Sequence, residues 1–165
     1  MNVTEALDKI LCSFTRYYNI KRGETVEPPF TAEAEFISHN EQYFLIKRAK
    51  VADIDSNEYV YFYGADEVDY ETLQKLDEAA WSRGMAKVVP SSAHRNSDVT
   101  LVIVADKLSS DAKAAIPKMK HYKSYMFTLH GWSYYRLIAL ELSTGNLVYH
   151  RQGQNLKKLV SNILK

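Results

Sequence analysis

Thr100-Leu101-Val102-Ile103-Val104-Ala105 is the stretch whose reading decides the fold. It is almost uniformly apolar, short and rich in β-branched residues, the pattern of a central strand buried on both faces. A strand of that kind needs helices above and below it, and the flanking sequence offers them. Upstream, the acids of Asp66 to Asp69 open a helix where its dipole favours negative charge. An apolar stripe follows at Tyr70, Leu73, Leu76, Ala80 and Trp81, with Gly84 placed for a C-terminal cap. Pro90-Ser-Ser-Ala-His-Arg-Asn-Ser-Asp98 reads as a loop by composition.

Further upstream, Phe30–Ile37 alternates apolar and polar residues as a half-exposed strand. Gln42–Lys50 and Tyr59–Tyr63 supply two more, joined by turns at His39-Asn40 and Asp53–Asn57, which predicts an antiparallel meander. At the start of the chain Leu7, Ile10, Leu11, Phe14, Tyr17 and Tyr18 form a helical stripe. Asn2 and Glu5 have capping-box spacing, Gly23 ends the connection, and Pro28-Pro29 hands over to extended chain.

Downstream of the central strand, Ser110 is placed to cap a short helix that Pro117 ends. Ser124–His130, Trp132–Leu142 and Leu147–Arg151 read as three strands with turns at Gly131-Trp132 and Ser143–Asn146, before a helix over about 155–165. The expected order is α-βββ-α-β-α-βββ-α. This is an α+β fold, a mixed and largely antiparallel sheet with helices packed against it, in one domain over residues 1–165.

With 165 residues, 46% of them hydrophobic and 25% charged, the chain has ordinary globular proportions. No apolar run approaches the ~20 residues that span a bilayer, and the N-terminus lacks a basic stretch followed by an apolar one. A cytoplasmic protein is expected. The net charge of +1 hides an asymmetry: residues 1–80 hold 16 acids and 8 bases, residues 81–165 hold 4 acids and 13 bases. The two halves are expected to fold against one another, with a basic surface for an anionic partner or head-to-tail self-association as the other readings.

Motifs with chemical content are few. Asp53-Ile-Asp55-Ser-Asn57 begins like a calcium loop, but Glu58 replaces its glycine and Gly64 its final glutamate. Ser110-Asp-Ala-Lys113 has S-x-x-K spacing without its companion motifs, so Ser110 reads as a helix cap. His39, His94, His121, His130 and His150 show no metal-ligand spacing, and the one cysteine, Cys12, reads as an inert helix residue. Phosphate-binding glycine loops and nucleophile elbows are lacking. The run α-βββ-α-β resembles, in element order, the core of restriction-endonuclease-like nucleases. That family carries an acid on its second strand and acid-x-Lys on its third. Here Glu58 stands two residues before Val60 rather than a lysine, and Glu41 and Lys47-Arg48 lie by the second strand without that spacing.

The segment Lys118–Arg151 interleaves cations with rings. With the two turns as read, His130 opposes Ser133 and Leu142 opposes Leu147, and one strand face collects Tyr125, Phe127, Leu129, Tyr134, Ile138, Leu140, Leu142, Leu147 and Tyr149 together with Lys123, Arg136 and Arg151. Arg136 then lies opposite Phe127 and Arg151 opposite Ile138, one pleat along, where both could hold one anion. The other reading lays both arginine stems along the apolar face and sets their charges at its rim or on acids of the first half. The expectation is a non-catalytic binding or interaction protein, with Lys118, Lys120, Lys123, Tyr125, Trp132, Arg136 and Arg151 on the contact surface. Catalytic residues, metal ligands and cofactors are not expected. An anionic ligand or nucleic acid, and a second copy of the chain through its many tyrosines, are the expected partners; a membrane is not. The rival reading is an enzyme acting on nucleic acid or a phosphorylated substrate, with acids of residues 53–69 brought against the basic half.

Overall fold

A computed structural model describes residues 1–37, 55–91 and 94–165. The central strand β4, His94–Leu108, outruns its apolar heart at both ends. It lies parallel to β3 (Asp55–Val68) on one side and to β6 (Trp132–Glu141) on the other. Antiparallel neighbours extend the sheet. β2 (Ala32–Ile37) pairs β3, and β1 (Asn19–Arg22) pairs β2. At the far edge β5 (Tyr122–Ser124) and β7 (Asn146–Tyr149) both pair β6. The described residues thus form an α+β fold on a mixed, mostly antiparallel seven-stranded sheet, ordered β1-β2-β3-β4-β6-β5 with β7 also on β6.

Successive rows of the sheet face opposite layers. Tyr61, Leu101 and Leu137 are in register and meet α2 (Tyr70–Lys87) through Leu73, Leu76 and Ala80. The next row, Phe62, Val102 and Ile138, meets α1 (Val3–Cys12) through Leu7 and Ile10, joined by Val160 of α4 (Lys157–Ser161). Burial of 100–105 on both faces follows from these two covers. Among the described residues the acid-rich and base-rich halves meet at three ion pairs, Glu27–Arg83, Glu33–Lys87 and Glu58–Arg136, and at the Asp77–His121 hydrogen bond.

The sequence reading needs several corrections. Gly84 is no cap: α2 runs on to Lys87, and a Cβ at Gly84 would stand 2.3 Å from Val99 Cγ2, so the glycine lets helix and sheet approach. Asp66–Val68 belong to β3, and α2 starts after Asp69, whose side chain accepts from the Thr72 N–H. Residues 94–98 are strand rather than loop because His94, Asn96 and Asp98 each find a side-chain partner there, Asp98 through Oδ2. His94 bonds Ser97 and the His130 carbonyl, and Asn96 bonds Ser56. β2 and β3 are direct antiparallel neighbours. The expected strand Gln42–Lys50 and turn His39-Asn40 lie outside the described residues, and Asp55–Asn57 are strand rather than turn. The polar edge strand β1 carried no apolar signal and was not expected.

Ser109, not Ser110, caps α3 (Ser110–Ala115), accepting from the Ala112 N–H, and a 3₁₀ turn with Pro117 ends it. β5 stops at Ser124, so Tyr125–His130 is not strand and Gly131-Trp132 is not its turn. Three successive residues there, Met126, Phe127 and Thr128, are left-handed at φ 48°, 51° and 73°. Leu147 pairs Leu140 rather than Leu142, which ends β7 at Tyr149 and puts Arg151 in a 3₁₀ helix, Arg151–Leu156. Of the expected last helix only the short α4 is α-helical. Among the described residues no helix is long and apolar enough to cross a membrane.

Candidate functional site

Arg136 sits on the α1 side of the sheet, as its even-numbered place on β6 requires. There Nη2 meets Asp98 Oδ2 at 2.7 Å and Nη1 meets Glu58 Oε1 at 3.4 Å. Glu58 also accepts from the Tyr18 hydroxyl at 2.5 Å and from Thr100 at 3.2 Å. Burial raises the Asp98 carboxyl above the ordinary carboxylate range; Arg136 lowers it, and Glu58 raises it further. Burial and then Glu58 push the Tyr18 phenol well up, so it stays a donor. This network holds β3, β4 and β6 together at the end where polar residues replace the apolar rows. It takes the Arg136 guanidinium away from any anion, and the partner read opposite it, Phe127, lies on the 125–131 loop and is 96% exposed. Arg151, outside β7, does not face Ile138; Tyr149 does. The two arginines therefore do not bracket one anion, and the acid-pairing reading holds for Arg136.

The acids of the nuclease resemblance do not converge either. Glu58 faces α1. Glu33 and Glu35 of β2 face the α2 side, in register with Tyr61 and Tyr59, and Lys87 lies 3.9 Å from Glu33. Glu41 and Lys47-Arg48 lie outside the described residues.

The remaining basic and aromatic residues gather along the far edge of the sheet. β4 covers one side of β6 over its full length, so β5 and β7 must share the other. β5 takes residues 132–134 and β7 takes 138–141. Between them, on that side, residues 135–137 of β6 have no strand partner among the described residues; the His150 N–H bonds the Leu137 carbonyl there, and a cleft of about 390 Å³ lies at this edge. Lys120, His121, Tyr122, Tyr134, His150 and Gln152 line it.

Tyr122 and Tyr134, opposite each other on β5 and β6, bring their rings to 5.1 Å and leave them 53% and 37% exposed. His121 turns the other way. Its Nε2 lies 2.8 Å from Asp77 Oδ2 on α2, and its ring stacks on Trp81 at 5.0 Å and meets Tyr135 edge-on. His150 accepts the Gln152 N–H at Nδ1. Burial, then Lys120 and Arg151, lower its pKa and favour the neutral imidazole. These histidines, 29 residues apart in the chain, and Asp77 showed no spacing signal; only the sheet edge brings them together.

Lys118 and Lys123 flank this edge, both exposed, and Lys123 lies over the Tyr125 ring at 5.4 Å. Tyr125 and Trp132 are half-buried. The Tyr125 hydroxyl shares a hydrogen bond with Ser133, and Trp132 pairs Ser124. Beyond them the 125–131 loop holds Met126, Phe127 and Leu129 out in solvent, tied down by Tyr125–Gly131 backbone bonds and by His94 on the His130 carbonyl. No group of three or more His, Cys, Asp or Glu side chains among the described residues is arranged for a metal ion.

No curated protein and no solved structure matches this chain. A family model matches it over residues 2–162, nearly its whole length, and the chain belongs to that family, described as a domain of unknown function (DUF8052).

Proposed function

We propose that this domain binds single-stranded nucleic acid, an anionic partner with stackable rings, along the edge formed by β5, β6 and β7. The observation that carries the reading is the exposed Tyr122–Tyr134 ring pair at the mouth of a cleft that also contains Lys120. Aromatic platforms beside cations hold single strands by stacking and phosphate attraction, with no need to read sequence. Lys118, Lys123 and Arg151 supply further exposed charge around the same edge. The exposed Met126–Phe127–Leu129 tip supports the second reading, a contact with another copy of the chain.

Fluorescence anisotropy with labelled oligonucleotides tests the reading. Neutralising about three phosphates gives a log–log salt slope near −2 for a single strand, measured between about 50 and 200 mM salt. Tyr122→Ala and Tyr134→Ala are each expected to weaken binding by about 1–3 kcal/mol. Lys120→Glu weakens it and flattens the slope. A flat anisotropy trace at the lowest salt sinks the reading.

A further inference from the structure

Resting on that binding reading, we propose that the cleft is an acid–base transphosphorylation site for RNA, in which His121 takes the proton of a ribose 2′-hydroxyl. The ring of His121 is fixed on three sides: Asp77 on its Nε2, Trp81 against its face, and Tyr135 edge-on. Asp77 is 7% exposed, and its carboxylate can only accept, so it sets the tautomer with the proton on Nε2. Nδ1 is then the basic nitrogen, with no hydrogen-bond partner among the described residues. This is the base-plus-orienter arrangement that activates a hydroxyl. His150 complements it: with Nδ1 accepting from Gln152, its Nε2–H is a neutral donor. Lys120 brings the positive charge.

Among the described residues the cleft lining contains no serine, threonine or cysteine, and its two phenols, Tyr122 and Tyr134, form the stacking pair, so it offers a base, a cation and a donor to a substrate that brings its own nucleophile. RNA carries that nucleophile beside its phosphate, and DNA does not. In the step, the 2′-oxygen attacks phosphorus as its proton passes to His121 Nδ1. The P–O2′ bond forms and the P–O5′ bond breaks, its electron pair leaving on O5′, which takes a proton from the Lys120 ammonium. His121 then releases its proton to solvent and Lys120 regains one. The products are a 2′,3′-cyclic phosphate and a 5′-hydroxyl, with no co-reactant. Lys120 and the His150 Nε2–H, both in the cleft lining, are assigned to the charge on the non-bridging oxygens.

The test incubates the full chain, with EDTA present, with a labelled single-stranded oligoribonucleotide and its 2′-deoxy counterpart, following anisotropy and cleavage together. RNA is expected to be bound and cut to 2′,3′-cyclic phosphate ends, and DNA bound and left whole. His121→Ala is expected to slow cleavage at least about a hundredfold, compared at protein concentrations that saturate the RNA. Asp77, a positioning residue, is tested by Asp77→Asn, expected to lower kcat with KM unchanged; His150→Ala gives a second variant that leaves the Asp77–His121 pair in place and is likewise expected to slow cleavage. RNA that is bound but stays whole overturns the inference and leaves the binding reading standing. Cleavage that survives in His121→Ala, prepared identically, or that yields other ends, overturns it as well. Absence of binding to either strand overturns both.

Discussion

Arg136 and Asp98 meet at 2.7 Å across neighbouring parallel strands, with the guanidinium's other nitrogen on Glu58 at 3.4 Å. The buried Asp98 and the partly buried Glu58 share one cation, so removing the cation leaves both uncompensated. Arg136→Ala is expected to cost about 2–3 kcal/mol in urea unfolding, somewhat less than a fully buried pair because the side chain keeps 23% of its exposure. Arg136→Lys recovers less than half of that, since an ammonium cannot serve both acids in fork geometry. An Arg136→Ala protein as stable as the parent would show that the network contributes nothing.

Glu141 ties together three elements at the end of β6. It accepts from the Leu108 N–H at 2.9 Å, from Thr144 at 2.6 Å, and meets Lys113 of α3 at 2.7 Å. Burial alone would raise its pKa; the bonds from Lys113, Thr144 and Leu108 outweigh burial and hold it at about 2. A carboxylate lowered in the folded state adds stability above its unfolded pKa and loses it as pH falls toward 2. Glu141→Gln is therefore expected to cost about 2–3 kcal/mol at pH 7 and little at pH 2. Unfolding at pH 7, 4.5 and 2 measures it, and an equal cost at all three would refute the linkage.

Gly84 marks the closest approach of α2 to the sheet. Gly84→Ala, which helps in an open helix, here forces a methyl group onto Val99. The expected outcome is a loss of about 1–3 kcal/mol, restored in part when Val99→Ala is added. Calorimetry on the two variants decides it; a stabilised Gly84→Ala would mean the contact is slack.

Phe127 is 96% exposed, so its ring adds no core contact. Phe127→Asp is expected to leave unfolding within about 0.5 kcal/mol of the parent. Sedimentation before and after the change reports whether the tip joins two copies: a dimer that dissociates on Phe127→Asp places the contact there.

The alternation and apolarity of the chain determined its class. Residues 100–105 could only be a strand covered twice, and the stripes of α1 and α2 supplied the two covers, because burial acts on every residue of a periodic segment at once. Polar strand ends escaped that logic. His94, Asn96 and Asp98 look like loop until Ser97, Ser56 and Arg136 satisfy them, and those partners come from the fold. The same holds for the edge of β6. The interleaved cations and rings of 118–151 marked the region, but a two-residue shift in β7 and three left-handed residues after β5 moved Arg151 and Phe127 off the face they were read on. Which side chains meet in the cleft, His121 with Asp77 and beside His150, was decided only by tertiary structure. Strand pairing joins residues dozens of positions apart, and nothing local in a sequence records that distance.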